Sequence, residues 1–134
     1  MSSRNSEEWI WLEPAAVQAI HDEQIAEHGG GLGVRDPGSL DSALARPINL
    51  AAYAQPDAAE LAAVYAIAIA RNHPFVDGNK RTAYVALELF LDQNACDFLA
   101  SDADATLMTW QMAASEISDA DFIAWVRRHA RPRP

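Results

Sequence analysis

LAAVYAIAIARNHPFVDGNKRTAYVALELFL, residues 61–91, holds two apolar segments parted by a dense polar one. Residues 61–70 are apolar around the full circumference of a helix, and so are 82–91 apart from Thr82 and Glu88. A helix that is apolar all round is buried all round, so this pair is expected at the centre with the other elements packed about it. Pro74 disfavours helical geometry at His73 and ends the first helix there. Asp77-Gly78-Asn79 then supplies a tight turn, and the second helix starts near Asn79 or Lys80.

Outward from this pair, Asp57 with Glu60 three residues on has the form of a capping box and opens a helix running to Asn72. An earlier helix is expected from about Pro14 to His28, with Val17, Ile20 and Ile25 near one face and Gly29-Gly30-Gly31 as its stop. Residues 29–38 are glycine-rich, carry the turn Asp36-Pro37-Gly38, and form the only stretch able to hold a small hairpin. A short helix from about Ser39 to Ala45 is expected to end at Arg46-Pro47. Two more, near Asp102–Ser115 and Asp119–Arg131, each begin with a Ser-x-x-Asp signal, at Ser101/Asp104 and Ser118/Asp121. No strand alternation persists. The expected fold class is all-α, a bundle of about six helices with a small flap. It forms one domain over 1–134 with its core at about 14–128, and loose ends before Trp9 and after Ala130.

Composition fits this reading. The 134 residues are 50% hydrophobic and 22% charged, ordinary for a globular chain. A lone cysteine, Cys96, excludes a disulfide framework and a multi-cysteine zinc site, and is read as a small buried hydrophobe. The longest nearly apolar run, Leu61 to Ala70, falls well short of the roughly 20 residues of a membrane-spanning helix. MSSRNSEEW lacks a following apolar stretch, so no signal peptide is expected, and the reading is a soluble, cytoplasmic protein with no membrane partner.

The net charge is −9, from 10 basic and 19 acidic residues, which repels a nucleic-acid backbone, so direct nucleic-acid binding is not expected. The single lysine, Lys80, stands beside Arg81. Arg71, Lys80 and Arg81 against Asp77 leave +2 over residues 71–84 and −11 on the rest, so an anionic ligand is welcome only there. A helix N-terminus after the turn presents unpaired N–H groups and positive dipole. Gly78 lets backbone approach a ligand, and Lys80 and Arg81 add full charges. His73 can take a proton near neutral pH, and Asp77 offers a hard oxygen to Mg²⁺ or a cap to the helix. Asn79 can bond a phosphate or hold the loop, and Phe75 is counted with the nucleotide-binding residues as the pin that plugs into the core. Such a set suits transfer from a nucleotide to a hydroxyl, where catalysis is largely positioning and charge neutralisation.

HPFVDGNKRTA resembles the signature of the Fic/Doc superfamily, whose Fic branch reads HPFx(D/E)GNGRxxR. The order IHDEQIAEHGG, GVRDPGSLDSALARP, then LAAVYAIAIARNHPFVDGNKRTAYVALELFLDQNA is similar to that of Doc, the death-on-curing toxins, over roughly residues 14–128. The resemblance implies a helical fold with a flap before the central helices. It implies His73 as the base that deprotonates a target hydroxyl, Asp77 as the Mg²⁺ ligand, and Asn79 and Arg81 as phosphate contacts. Lys80 stands where Fic enzymes have glycine and resembles Doc; Tyr84 stands where they have a second arginine. Doc-like members bind ATP reversed and transfer its γ-phosphate to a Ser or Thr hydroxyl. The resemblance implies elongation factor Tu as target, arrested translation, and control by a cognate antitoxin. Gly78 is the Fic-like choice, which leaves AMP transfer as the alternative activity; a catalytically inactive helical adaptor is the third reading. The family's inhibitory pattern (S/T)xxxE(G/N) has its nearest match at Ser3 to Glu7, but Glu8 follows and no apolar face forms, so inhibition in cis is not expected.

Remaining candidates have plainer readings. His21, His28 and His129 lack partners at metal-ligand spacing and are read as surface or packing residues. Trp9, Trp11, Trp110 and Trp125 are read as core or rim, with Trp9 and Trp11 also able to cover a partner groove. Arg71 either flanks the site or faces water, and Arg35 and Asp36 either guide a target peptide or form a turn.

Overall fold

The computed structural model of the protein describes residues 8–134. It contains α1 (Pro14–His28), α2 (Pro37–Tyr53), α3 (Ala58–Asn72), α4 (Asn79–Gln93), β1 (Cys96–Phe98), α5 (Asp102–Ala113), α6 (Asp119–His129) and β2 (Ala130–Pro132). Every residue from Leu61 to Ala70 is buried, and none of α4 from Thr82 to Leu91 is exposed. Helix α3 packs against α4, α2, α6 and α5, and α4 packs in turn against α1, α5 and β1. The all-α class and the central pair follow as the apolar circumference requires. No helix of the described residues is long and apolar enough to cross a membrane.

Helix starts were legible in side-chain chemistry. Asp57 accepts from the Glu60 amide at 2.9 Å, Ser101 from Asp104 at 3.1 Å, and Ser118 from Asp121 at 3.0 Å. Helix α1 stops at Gly29, whose φ of 82° is cheap only without a side chain.

Three expectations fail. Pro47 does not end α2, which runs from Pro37 to Tyr53. Its ring removes the N–H that would meet the Ala43 carbonyl and crowds that carbonyl, while Leu40, Ala43, Leu44 and Pro47 make one buried stripe against α3. Burial of that stripe outweighs the lost rung. Residues 29–38 form no hairpin; they make one antiparallel bridge, Val34 with Phe75, onto the loop between α3 and α4. Finally, the C-terminus is tied down. β2 pairs antiparallel with β1, and Arg133 bonds Asp97 at 2.8 Å and the Ala95 carbonyl through its amide at 2.8 Å. Strands of three residues are too short for alternation to show.

Asp57 also receives the Arg127 guanidinium, Nε to Oδ2 at 2.7 Å. Burial alone raises its pKa, but the Arg127 bond and the Glu60 amide outweigh it, and the carboxyl sits below its ordinary value of 3.8. Asp57→Ala is expected to cost about 1–2 kcal/mol through the lost cap, a figure already small because the pair is half exposed. A depressed pKa gives stability that is present above 3.8 and lost as pH falls through the lower folded value. Thermal melts should therefore show wild type and variant well separated at neutral pH and converging in acid below 3.8.

Candidate active site

Helix α3 ends on His73, which takes a left-handed conformation with φ 50° and ψ 54°. Outside glycine that region is sparsely used and needs support from its surroundings. Support comes from the flap. Arg35 Nε donates to the His73 carbonyl at 2.7 Å and Nη2 to the Asn72 carbonyl at 3.0 Å, so one guanidinium caps the end of α3. The amides of Arg35 and Asp36 both donate to the Pro74 carbonyl, at 2.7 and 3.1 Å, and Val76 N–H reaches the Gly33 carbonyl at 3.1 Å. Asp36 itself caps α2, through the amides of Gly38 and Ser39. Both flap residues thus have structural work, and that of Arg35 goes beyond the plain turn read for the pair.

The loop is pinned at two points. Phe75 is 1% exposed, its ring sunk in the core as a pin for the loop. Asn79, also buried, accepts from Phe75 N–H and donates to the Phe75 carbonyl, both at 3.0 Å. That reciprocal pair fixes which end of the amide is which, so Asn79 Nδ2 faces His73 Nδ1 at 3.3 Å as the donor. The hydrogen of the neutral His73 ring then resides on Nε2.

Gly78 caps α4 with φ 75°. A Cβ there would be strained by that φ and would meet Ile25 Cδ1 at 3.1 Å, so the tightest approach to Gly78 is made by α1. Behind it, the amides of Gly78, Asn79, Lys80 and Arg81 donate to no acceptor among the described residues. Four open N–H groups at a helix start form a nest for an anion.

Lys80 Nζ lies 5.5 Å from the centre of a Trp110 ring and the Arg81 guanidinium 5.8 Å from it. Arg81 Nη1 also lies 3.4 Å from His28 Nε2. Neither cation has a carboxylate within 4.0 Å among the described residues, unlike Arg71, Arg127 and Arg133. Arg71 pairs with Asp119 at 2.6 Å and bonds the Met112 carbonyl, joining α3 to α5 and α6 outside the site. Asp77 Oδ2 accepts from Gly31 N–H at 2.7 Å. Tyr84 donates to Asp102 at 2.8 Å, and burial first, then that carboxylate and Glu88, keep its phenol neutral.

His73, Asp77, Gly78, Asn79, Lys80 and Arg81 all line one cleft of about 550 Å³, with His28, Gln24 and Trp110 across it. Of the predicted set only Phe75 stands apart. Trp110 and His28 were missed because each comes from a distant helix, and only His28's place before three glycines hinted that it ends beside the flap. Trp9 and Trp125 lie in the core, as read. Ser3 to Glu7 lie outside the described residues. A second cleft of about 520 Å³, at the other end of α3 and α4, is walled by the paired Arg127 and Arg133 and contains none of the motif.

A family model described as Fic/DOC family matches residues 11–91, which takes in α1, the flap, α2, α3 and most of α4. The chain is 35% identical over 113 residues to the protein of Escherichia phage P1 named protein kinase doc, covering 81% of this chain and 90% of that one. It is 42% identical over 100 residues to the protein named toxin Doc of Mycolicibacterium smegmatis, covering 72% of this chain and 76% of the relative. With the flap capping the motif histidine and the nest opening beside it, sequence and geometry agree: the chain belongs to the Fic/DOC family.

Proposed function

We propose that the protein is a Doc-type toxin, a transferase that moves the γ-phosphate of ATP to a Ser or Thr hydroxyl of a protein, elongation factor Tu by resemblance, under the control of an antitoxin. One observation carries the reading: four open amides and two carboxylate-free cations converge on the cleft that holds His73. A polyphosphate is the ligand that such a surface recognises. Asp77 fits Mg²⁺, since this ion commonly takes one or two carboxylates and draws its remaining ligands from phosphates and water. Held there, the ion would supply neutralisation of the phosphate charge.

The chain's residues then divide the work. The amides of 78–81, with Lys80 and Arg81, hold the phosphates. Trp110 offers both cations a face that does not neutralise them. His73 takes the hydroxyl proton at Nε2 as the target oxygen bonds to phosphorus and the β–γ bridging oxygen leaves with ADP. For that, the ring's own hydrogen has to pass to Nδ1, giving up the 3.3 Å contact with Asn79, which is too long to resist strongly.

AMP transfer draws little support from Gly78, for which a left-handed φ of 75° and the 3.1 Å approach of Ile25 Cδ1 supply a local structural reason. An inactive adaptor would not need open amides beside two unpaired cations. The deciding experiment offers the protein a target-containing lysate with ATP labelled at the α or the γ phosphate. Label reaching a protein from the γ position is expected; label from the α position only would overturn the reading.

A further inference from the structure

His21 lies on α1, 56 residues before Asp77 of the motif loop, and is 1% exposed. Its Nε2 is 2.8 Å from the Asp77 carbonyl oxygen. A carbonyl only accepts, so Nε2 carries the hydrogen and donates. The imidazole also lies flat on the Phe75 ring, 3.9 Å between centres and 6° between planes. One turn on, Ile25 touches the place where a Gly78 side chain would be. Both residues present the same face of α1 to the turn.

The backbone consequence is specific. Carried back by one more rung, α4 would use the Asp77 carbonyl as acceptor for Arg81 N–H. Left-handed Gly78 turns that carbonyl off the helix axis, and the His21 ring receives it. Arg81 N–H is therefore left open. In a planar trans peptide, C=O and N–H point in opposite directions. With the Asp77 oxygen drawn to α1, the Gly78 N–H points away from α1 and also remains open. A space-filling role would not need the donor, and a buried imidazole without a partner is unfavourable.

We propose that His21 is a positioning residue that sets the anion nest, orienting the Asp77–Gly78 peptide so that both ends of the row of open amides stay available to phosphate. The role rests on the phosphate-binding reading of the turn, and the test separates the two. Three variants are compared: His21→Gln, which keeps a donor; His21→Met, of similar length without one; and His21→Phe, which keeps the stack without one. Hydrogen exchange in the free protein is followed at Phe75, Val76 and Thr82, whose amides tie the turn to Asn79, to the flap carbonyl of Gly33 and to the Gly78 carbonyl. Mg·ATP binding is followed by calorimetry and overall folding by circular dichroism.

His21→Met and His21→Phe are expected to speed loop exchange and weaken Mg·ATP binding, each by about tenfold, while His21→Gln stays within about threefold of wild type. Should Phe destabilise the whole protein, the Gln and Met pair still compares donor with no donor at matched length. Wild-type exchange in the Met variant, or equal losses in Gln and Met, overturns the proposal. Wild-type protein that does not bind Mg·ATP overturns the phosphate reading instead, and the exchange rates still decide whether His21 orders the turn.

Discussion

His73→Asn is expected to lower the rate of transfer to the target by about 10²–10⁴-fold, the usual contribution of a positioned general base, with little change in folding. The His73 side chain is exposed, so its removal opens no cavity. Its backbone is the delicate part, because φ is 50°. Asparagine visits the left-handed region more readily than alanine, and it lacks a group able to take a proton near neutral pH. His73→Ala should lose the same activity with an added stability loss of about 1 kcal/mol from its poorer fit to that conformation. Expression of either variant in a sensitive host should no longer arrest growth. Melting curves identify the Asn variant as folded, and calorimetry should find Mg·ATP binding retained, since the nest lies on α4. A fully active Asn variant would remove His73 from the role of base.

The two central helices were readable because each has a ten-residue stretch apolar on every face of a helix, unbroken in α3 and interrupted only by Thr82 and Glu88 in α4. The motif loop was readable because its polar residues have no core to enter. What surrounds the loop was less accessible. Arg35 reaches the end of α3 across 38 positions and His21 reaches Asp77 across 56. No local pattern announces either, since a guanidinium capping carbonyls and a solvent-bound one have the same neighbours in sequence. Pro47 misled for a related reason. The penalty for proline inside a helix is local and legible, whereas the stripe that overrides it exists only once α3 is present. Phe75 and Asn79 show the opposite case: Phe75 was read as the pin of the loop and Asn79 as a phosphate contact or a loop holder, and the side chains of both are engaged in shaping the loop. A motif read from residue types mixes contacts with supports, and burial separates them.

Asn79→Ala is expected to be the most damaging single change in the loop, lowering unfolding free energy by about 2–4 kcal/mol in urea titrations. The residue satisfies both the N–H and the carbonyl of Phe75, whose ring is sealed in the core, so the loop cannot readily turn those groups to water. Each orphaned group costs about 1–3 kcal/mol, a large share of the roughly 5–15 kcal/mol that hold a domain together. Asn79→Asp divides stability from binding. Its carboxylate still accepts from Phe75 N–H and sits well with the positive end of α4, which offsets part of the loss. It cannot donate to the Phe75 carbonyl or to His73 Nδ1, and it places a negative charge beside the open amides. The Asp variant should therefore be more stable than the Ala variant yet bind Mg·ATP more weakly than its own stability implies. If instead the two variants rank alike in urea and in calorimetry, with Asp the better in both, Asn79 acts through the fold and charge at the nest is of no consequence for the ligand.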